Sequence, residues 1–159
     1  MYKRVLIPLD GSRFAEQALS HAEALIHPGE SEIHLLSVAP VLDTRALTMV
    51  PLYPMYVYRD YLDQERRESE RITNELNQYL GSLADRFQSQ GATVHIAVRF
   101  GQPAEEILAY ADENDIDLIV MSTHGRSGLG RWVYGSVADK VLHGANIPVL
   151  LVRAHEEPS

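Results

Sequence analysis

The sequence holds no cysteine in 159 residues. Disulfides, thiolate metal sites and cysteine nucleophiles are therefore excluded. Positive charge is scarce as well: 14 Lys and Arg stand against 22 Asp and Glu, a formal net charge of −8. Nucleic acid and anionic membranes both ask for a basic face, so neither is expected as the main partner, although a local positive pocket for phosphate is compatible with this balance. No lysine lies between Lys3 and Lys140. A Walker A loop, which needs G-x4-G-K-[ST], has no place in that span. Apolar runs are short, none approaching the roughly 18 residues of a membrane helix. The opening MYKRVLIPLD is basic and then apolar, but it breaks at Pro8 and Asp10, too early for a signal sequence, and reads as a first strand. A soluble, cytoplasmic protein is the expectation.

What is present is an ordinary globular mix, 45% hydrophobic and 23% charged. This length gives one domain with room for a real core. The apolar pattern alternates between strand and helix. Tyr2–Leu9 is a nearly continuous apolar strand, as expected of a central parallel strand buried on both faces. Asp10-Gly11-Ser12 breaks it, and Ser12 is a good N-cap for a helix carrying Ala15, Leu19, Ala22, Leu25 and Ile26 at helical spacing, ending near His27 before Pro28-Gly29. Glu32–Ala39 is the second strand. Residues 40–57, with Pro40, Pro51 and Pro54, are read as an irregular lid or mobile segment. Tyr58–Gln90 carries one apolar stripe, Ile72, Leu76, Tyr79, Leu80, Leu83 and Phe87, and Gly91 ends it. Val94, Ile96 and Val98 alternate with polar or small residues, the mark of a half-exposed edge strand. Gly101-Gln102-Pro103 opens the next helix, with Ile107, Leu108 and Ala111 facing inward. Asp115–Val120 is the fourth strand. A glycine-rich stretch, a helix beginning near Trp132 and a fifth strand, Val149–Val152, follow. The expected architecture is an α/β, doubly wound (Rossmann-like) five-stranded parallel sheet of order 3-2-1-4-5, with helices on both faces, over residues 1–153, and a polar tail at 154–159.

In such a sheet a ligand sits beyond the carboxyl ends of the strands at the switch point, here between strands one and four. The loops brought together are Pro8–Ser12 and Met121–Gly135. The second, MSTHGRSGLGRWVYGS through Ser136, is a glycine-rich turn between strand and helix, where free amides favour an anion. It is not the dinucleotide fingerprint G-x-G-x-x-G, which would follow the first strand.

The chain resembles the universal stress protein family, in its ATP-binding subgroup. That subgroup carries G-x2-G-x9-G-[ST] after strand four, and here the pattern falls on Ser122-x2-Gly125-x9-Gly135-Ser136. The second glycine, the spacer and the Gly-Ser end match, and Ser122 replaces the first glycine. VLIPLDGS, FGQPAEEIL, DLIVMSTHGRSGLGRWVYGSVADKVL and IPVLLV extend the likeness over nearly the whole chain. The resemblance implies ATP with Mg2+. Pro8, Leu9 and Asp10 would lie beside the nucleotide, with Asp10 near the ribose or the nucleotide-bound metal. Val38 and Met121 would contact adenine. Gly125, Gly135, Ser136 and Val137 would hold phosphates. By their own chemistry, and not from the resemblance, Ser122 has an amide and a hydroxyl to offer, and His124 and Arg126 can meet phosphate charge, although a lone loop histidine also serves as a structural or solvated group. The resemblance also implies a homodimer through Val149–Val152, an apolar strand at the sheet edge.

Each residue has a plainer role to set beside this one. Asp10 can serve as a helix-start acceptor, Ser136 as a cap, Val38 and Met121 as core, and Arg126 as a solvated charge. No catalytic set is evident. A regulatory, stress-response ATP-binding protein is the first expectation. A slow ATPase or phosphotransferase using Asp10 and His124, or a nucleotide-free dimeric scaffold, are the alternatives.

Overall fold

The structure, a computed structural model, describes residues 2–41, 55–124 and 136–155, apart from the side chains of 55–58 and 124. Five strands and four helices make up these residues: β1 Arg4–Pro8, α1 Arg13–Glu23, β2 Glu32–Ala39, α2 Met55–Gln88, β3 Thr93–Phe100, α3 Pro103–Glu113, β4 Leu118–His124, α4 Ser136–Gly144 and β5 Val149–Ala154. The sheet order is β3-β2-β1-β4-β5, all parallel, as the strand–helix alternation predicts. No helix among the described residues is long and apolar enough to cross a membrane.

β1 is central because its side chains are apolar on both faces. Val5, Ile7 and Leu9 pack with Ala18 and Leu19 of α1 and with Leu80 and Phe87 of α2. Leu6, pointing the other way, packs with Leu36, Ile119 and Met121 against Ile107 and Tyr110 of α3 and Val141 of α4. The alternation of one chain between two cores fixes the two helical layers. Each fully buried aliphatic side chain contributes roughly 1.5–3 kcal/mol, so neither layer can detach without losing several such terms. Among the described residues β3 is an edge strand that pairs with β2 alone, and Ile96 on it is 43% exposed.

Several boundaries differ from the sequence expectation. α1 stops at Glu23 rather than His27, because Leu25 and Ile26 donate to Ala22 and Glu23 in tighter turns. Its start is as expected: the Ser12 hydroxyl accepts the Ala15 amide at 3.1 Å. α2 begins at Met55, so the last three residues expected to be irregular are helical, while 42–54 lie outside the described residues. β4 begins at Leu118 and runs on to His124, not Asp115 to Val120. The reason lies at both ends. Asp115 adopts φ 49°, which turns the chain, and the Asp117 carboxylate accepts the Lys3 and Arg4 amides, tying the connection to the start of β1. At the far end Met121, Ser122, Thr123 and His124 pair with Leu151, Val152, Arg153 and Ala154. β5 is correspondingly longer than Val149–Val152, and Ala154 is buried in it rather than part of a tail.

Candidate functional site: a notch at the switch point

The central strand is the short one at its carboxyl end. β1 stops at Pro8, which stands opposite Leu36 of β2, and β2 continues through Ser37, Val38 and Ala39. On the other side Leu6 pairs with Ile119. Two residues further on, Pro8 comes level with Met121, and β4 continues through Ser122, Thr123 and His124. Three extra residues on each flank, at about 3.3 Å apiece, leave a notch roughly 10 Å deep above Pro8. Its floor is the turn from β1 to α1.

That turn is built tightly. The Leu9 amide donates to the Leu36 carbonyl at 2.8 Å, and the Ser37 hydroxyl donates to the Leu9 carbonyl at 2.7 Å. Leu9 is buried in the α1–α2 core, so it anchors the floor from beneath. Asp10 is exposed, and its Oδ1 accepts the Ser12 amide at 2.9 Å. Gly11 sits at φ +81°, a conformation that L side chains rarely adopt, and so allows the reversal into α1. The helix-start role of Asp10 is therefore present in the structure, and a carboxylate has a second oxygen with which to face a ligand.

The walls differ in character. Val38 and Met121 both belong to the α3–α4 side, Met121 buried and Val38 partly so, and they flank the notch from β2 and β4. Ser122 turns to the opposite side. Its hydroxyl donates to the Phe14 carbonyl of α1 at 2.6 Å and thereby fastens β4 to the first turn of that helix. His124 is the last residue of β4, at the rim. Gly125, Arg126 and Gly135 lie outside the described residues. Ser136 is exposed at the first position of α4, and Val137 packs partly into the α3–α4 core. The structure thus brings Pro8, Asp10, Val38, Met121 and the end of β4 around one notch.

Ser37 and the Phe14 carbonyl were not anticipated from the sequence. For Ser37 a signal exists: it is the small polar residue inside the apolar run of β2, EIHLLSVA, immediately before Val38. A buried hydroxyl needs a partner, and an end-of-strand position puts that partner in the adjoining turn. The Phe14 carbonyl carries no comparable signal, since any main-chain oxygen of α1 could have been chosen.

An open parallel sheet of order β3-β2-β1-β4-β5, notched at the β1/β4 switch point, defines a doubly wound α/β protein. Residues 1–153 match the universal stress protein family, and the chain belongs to it. It is 32% identical over 155 residues to universal stress protein YxiE of Bacillus subtilis, covering 96% of this chain and all of that one. To universal stress protein MJ0577 of Methanocaldococcus jannaschii it is 30% identical over 158 residues, covering 96% of each, and the solved structure of MJ0577 superposes with a TM-score of 0.78 over 99% of both chains. The universal stress protein of Archaeoglobus fulgidus, solved in complex with dAMP, shares the fold at 18% identity and a TM-score of 0.58, over 94% of this chain and 97% of that one.

Proposed function

We propose that this protein binds ATP in the notch between β1 and β4 and acts as a regulatory, stress-response protein of its family. The observation that carries this is the notch itself: the strand ends recede at β1 alone, between an apolar pair and a helix start. Val38 and Met121 supply an apolar slot for the base. Pro8 and Asp10 stand at the floor, Asp10 facing the ribose or a nucleotide-bound Mg2+. Gly125, Gly135, Ser136 and Val137 hold the phosphates through main-chain amides at the start of α4, where the helix dipole favours negative charge, with His124 and Arg126 beside them. Ser122 contributes its backbone, since its hydroxyl is directed to Phe14. The relative solved with dAMP holds an adenine nucleotide on the same fold. The protein works as a cytoplasmic homodimer joined through β5, where Leu150 is 37% exposed at the sheet edge.

Calorimetry with Mg-ATP tests the reading. Saturable binding at one nucleotide per chain is expected. Gly135→Val is expected to abolish binding while leaving the far-ultraviolet circular dichroism unchanged, because a Cβ there blocks the approach of backbone to phosphate. Absence of heat at millimolar Mg-ATP in the unaltered protein refutes it.

A further inference from the structure

At the other end of β2, Glu32, His34 and His95 converge on one spot. Glu32 and His34 are two residues apart on β2, so they face the same way. His95 is the register partner of His34 on β3. The two imidazoles stack with ring centroids 4.6 Å apart and an interplanar angle of 27°. Glu32 Oε2 lies 3.9 Å from His34 Nε2 and 3.7 Å from His95 Nε2. One donor atom from each of the three residues falls within 4.8 Å of the others.

The histidine at the centre has an unfilled requirement. His34 is only 5% exposed, and its Nε2 has no hydrogen-bond partner among the described residues. Buried polar atoms are nearly always paired, so a buried nitrogen aimed at a carboxylate beyond hydrogen-bond range needs a reason. Its Nδ1 lies 2.9 Å from the Tyr110 hydroxyl. With Nδ1–H donating to the Tyr110 oxygen, Nε2 presents a bare lone pair to the gap beside Glu32. That tautomer, with the far ring nitrogen fixed by an outer partner, is the one a metal-bound imidazole takes. Burial, followed by the neighbouring His95, pushes the His34 pKa down to about 4, so the ring is neutral at neutral pH.

We propose that Glu32, His34 and His95 form a binding site for a divalent transition-metal cation of the zinc class, held at the β2–β3 edge, with Tyr110 orienting His34. Two imidazoles and one carboxylate suit zinc, and the absence of thiolates disfavours the softest ions. Donors about 2.1 Å from a tetrahedral zinc stand roughly 3.4 Å apart, so the two carboxylate–imidazole distances must close by a few tenths of an ångström, and the His95 ring must turn out of its stack so that both imidazole lone pairs meet one ion. Glu32 and His95 can make that movement, since their side chains are 42% and 48% exposed. The same exposure leaves a fourth position open to water. Arg4 competes for Glu32, with Nε 3.7 Å from Oε2, but it also lies 3.7 Å from Asp115 and can turn to that carboxylate. Arg99, stacked 4.9 Å from the Tyr110 ring, is already paired with Glu106 and Glu113. The site stands four residues, about 13 Å, from Val38, so it is independent of the nucleotide reading.

The test titrates the full chain, free of nucleotide, with zinc chloride alone, read by calorimetry and by the imidazole signals in nuclear magnetic resonance. One zinc per chain is expected, with the ring signals of His34 and His95 shifting first. His95→Gln and Glu32→Ala, both at half-exposed positions and checked for folding by circular dichroism, are expected to weaken binding by roughly tenfold or more, and Tyr110→Phe by about 10- to 100-fold. His143→Gln, at a distant surface histidine, is expected to change nothing. No zinc uptake by the unaltered protein, or equal affinity in His95→Gln and Glu32→Ala, overturns the proposal.

Discussion

Ser122→Ala isolates one bond at the candidate site. The Ser122 hydroxyl is 2.6 Å from the Phe14 carbonyl and joins two elements 108 residues apart in sequence. It ties the end of β4 to the first turn of α1, beside the packing of Val120 against Ala18 and Leu19. A neutral hydrogen bond of this kind contributes about 1 kcal/mol net. The Phe14 carbonyl is not orphaned by the change, since its place in α1 gives it the amide four residues on, and the larger penalty for a stranded buried group does not apply. For a chain of this size 1 kcal/mol moves the melting temperature by about 2–4 °C. Ser122→Gly, which restores the glycine of the family pattern, loses the same bond and adds roughly 0.5–1 kcal/mol of backbone entropy in a strand, so it should fall further. Thermal unfolding by circular dichroism measures both, and Mg-ATP calorimetry on the same samples separates the two roles of the residue. Retained affinity with a lowered melting temperature is expected for Ser122→Ala. An unchanged melting temperature together with lost affinity would mean that the hydroxyl serves a phosphate and not α1, and the reasoning fails.

Two further perturbations follow from the same geometry. Gly11→Ala is expected to cost about 1 kcal/mol in urea unfolding through strain, because Gly11 sits at φ +81° while none of the described residues lies within 4 Å of where a Cβ would stand; a neutral result would show that the turn relaxes freely. Leu150→Lys, at the exposed edge strand β5, is expected to shift the protein from dimer to monomer in sedimentation velocity without lowering its melting temperature below that of the monomer; a dimer that persists unchanged places the interface elsewhere.

The sheet order was legible because β1 and β2 are apolar on both faces and β3 alternates. Val5, Leu6 and Ile7 read as a central strand, and each is buried to within 1%. The strand ends were not legible. Asp115 and Asp117 flank an apolar run and look like part of it, but one turns the chain and the other caps the β1 amides across 113–114 residues of sequence. Long-range bonds of that sort leave no periodic trace. The same holds for Met121 to His124: their assignment to a strand depends on β5 being there to pair with, and a glycine-rich neighbourhood reads locally as loop.

That misplacement matters for the site. A loop beginning at Met121 would put Met121 and Ser122 on one flexible segment, free to share a ligand. A strand running to His124 alternates them, so Met121 faces the α3–α4 side with Val38, and Ser122 faces α1. The alternation assigns different tasks to adjacent residues: one lines the apolar wall, the next fastens the wall to the helix behind it. It also gives the replaced motif glycine a physical consequence. A glycine at that position frees backbone approach but ties nothing, whereas serine trades some of that approach for a fixed edge to the notch. The depth of the notch is set by β2 and β4 outrunning β1 by three residues each, and the Ser122–Phe14 bond, which the family pattern itself does not contain, ties one wall of it to α1.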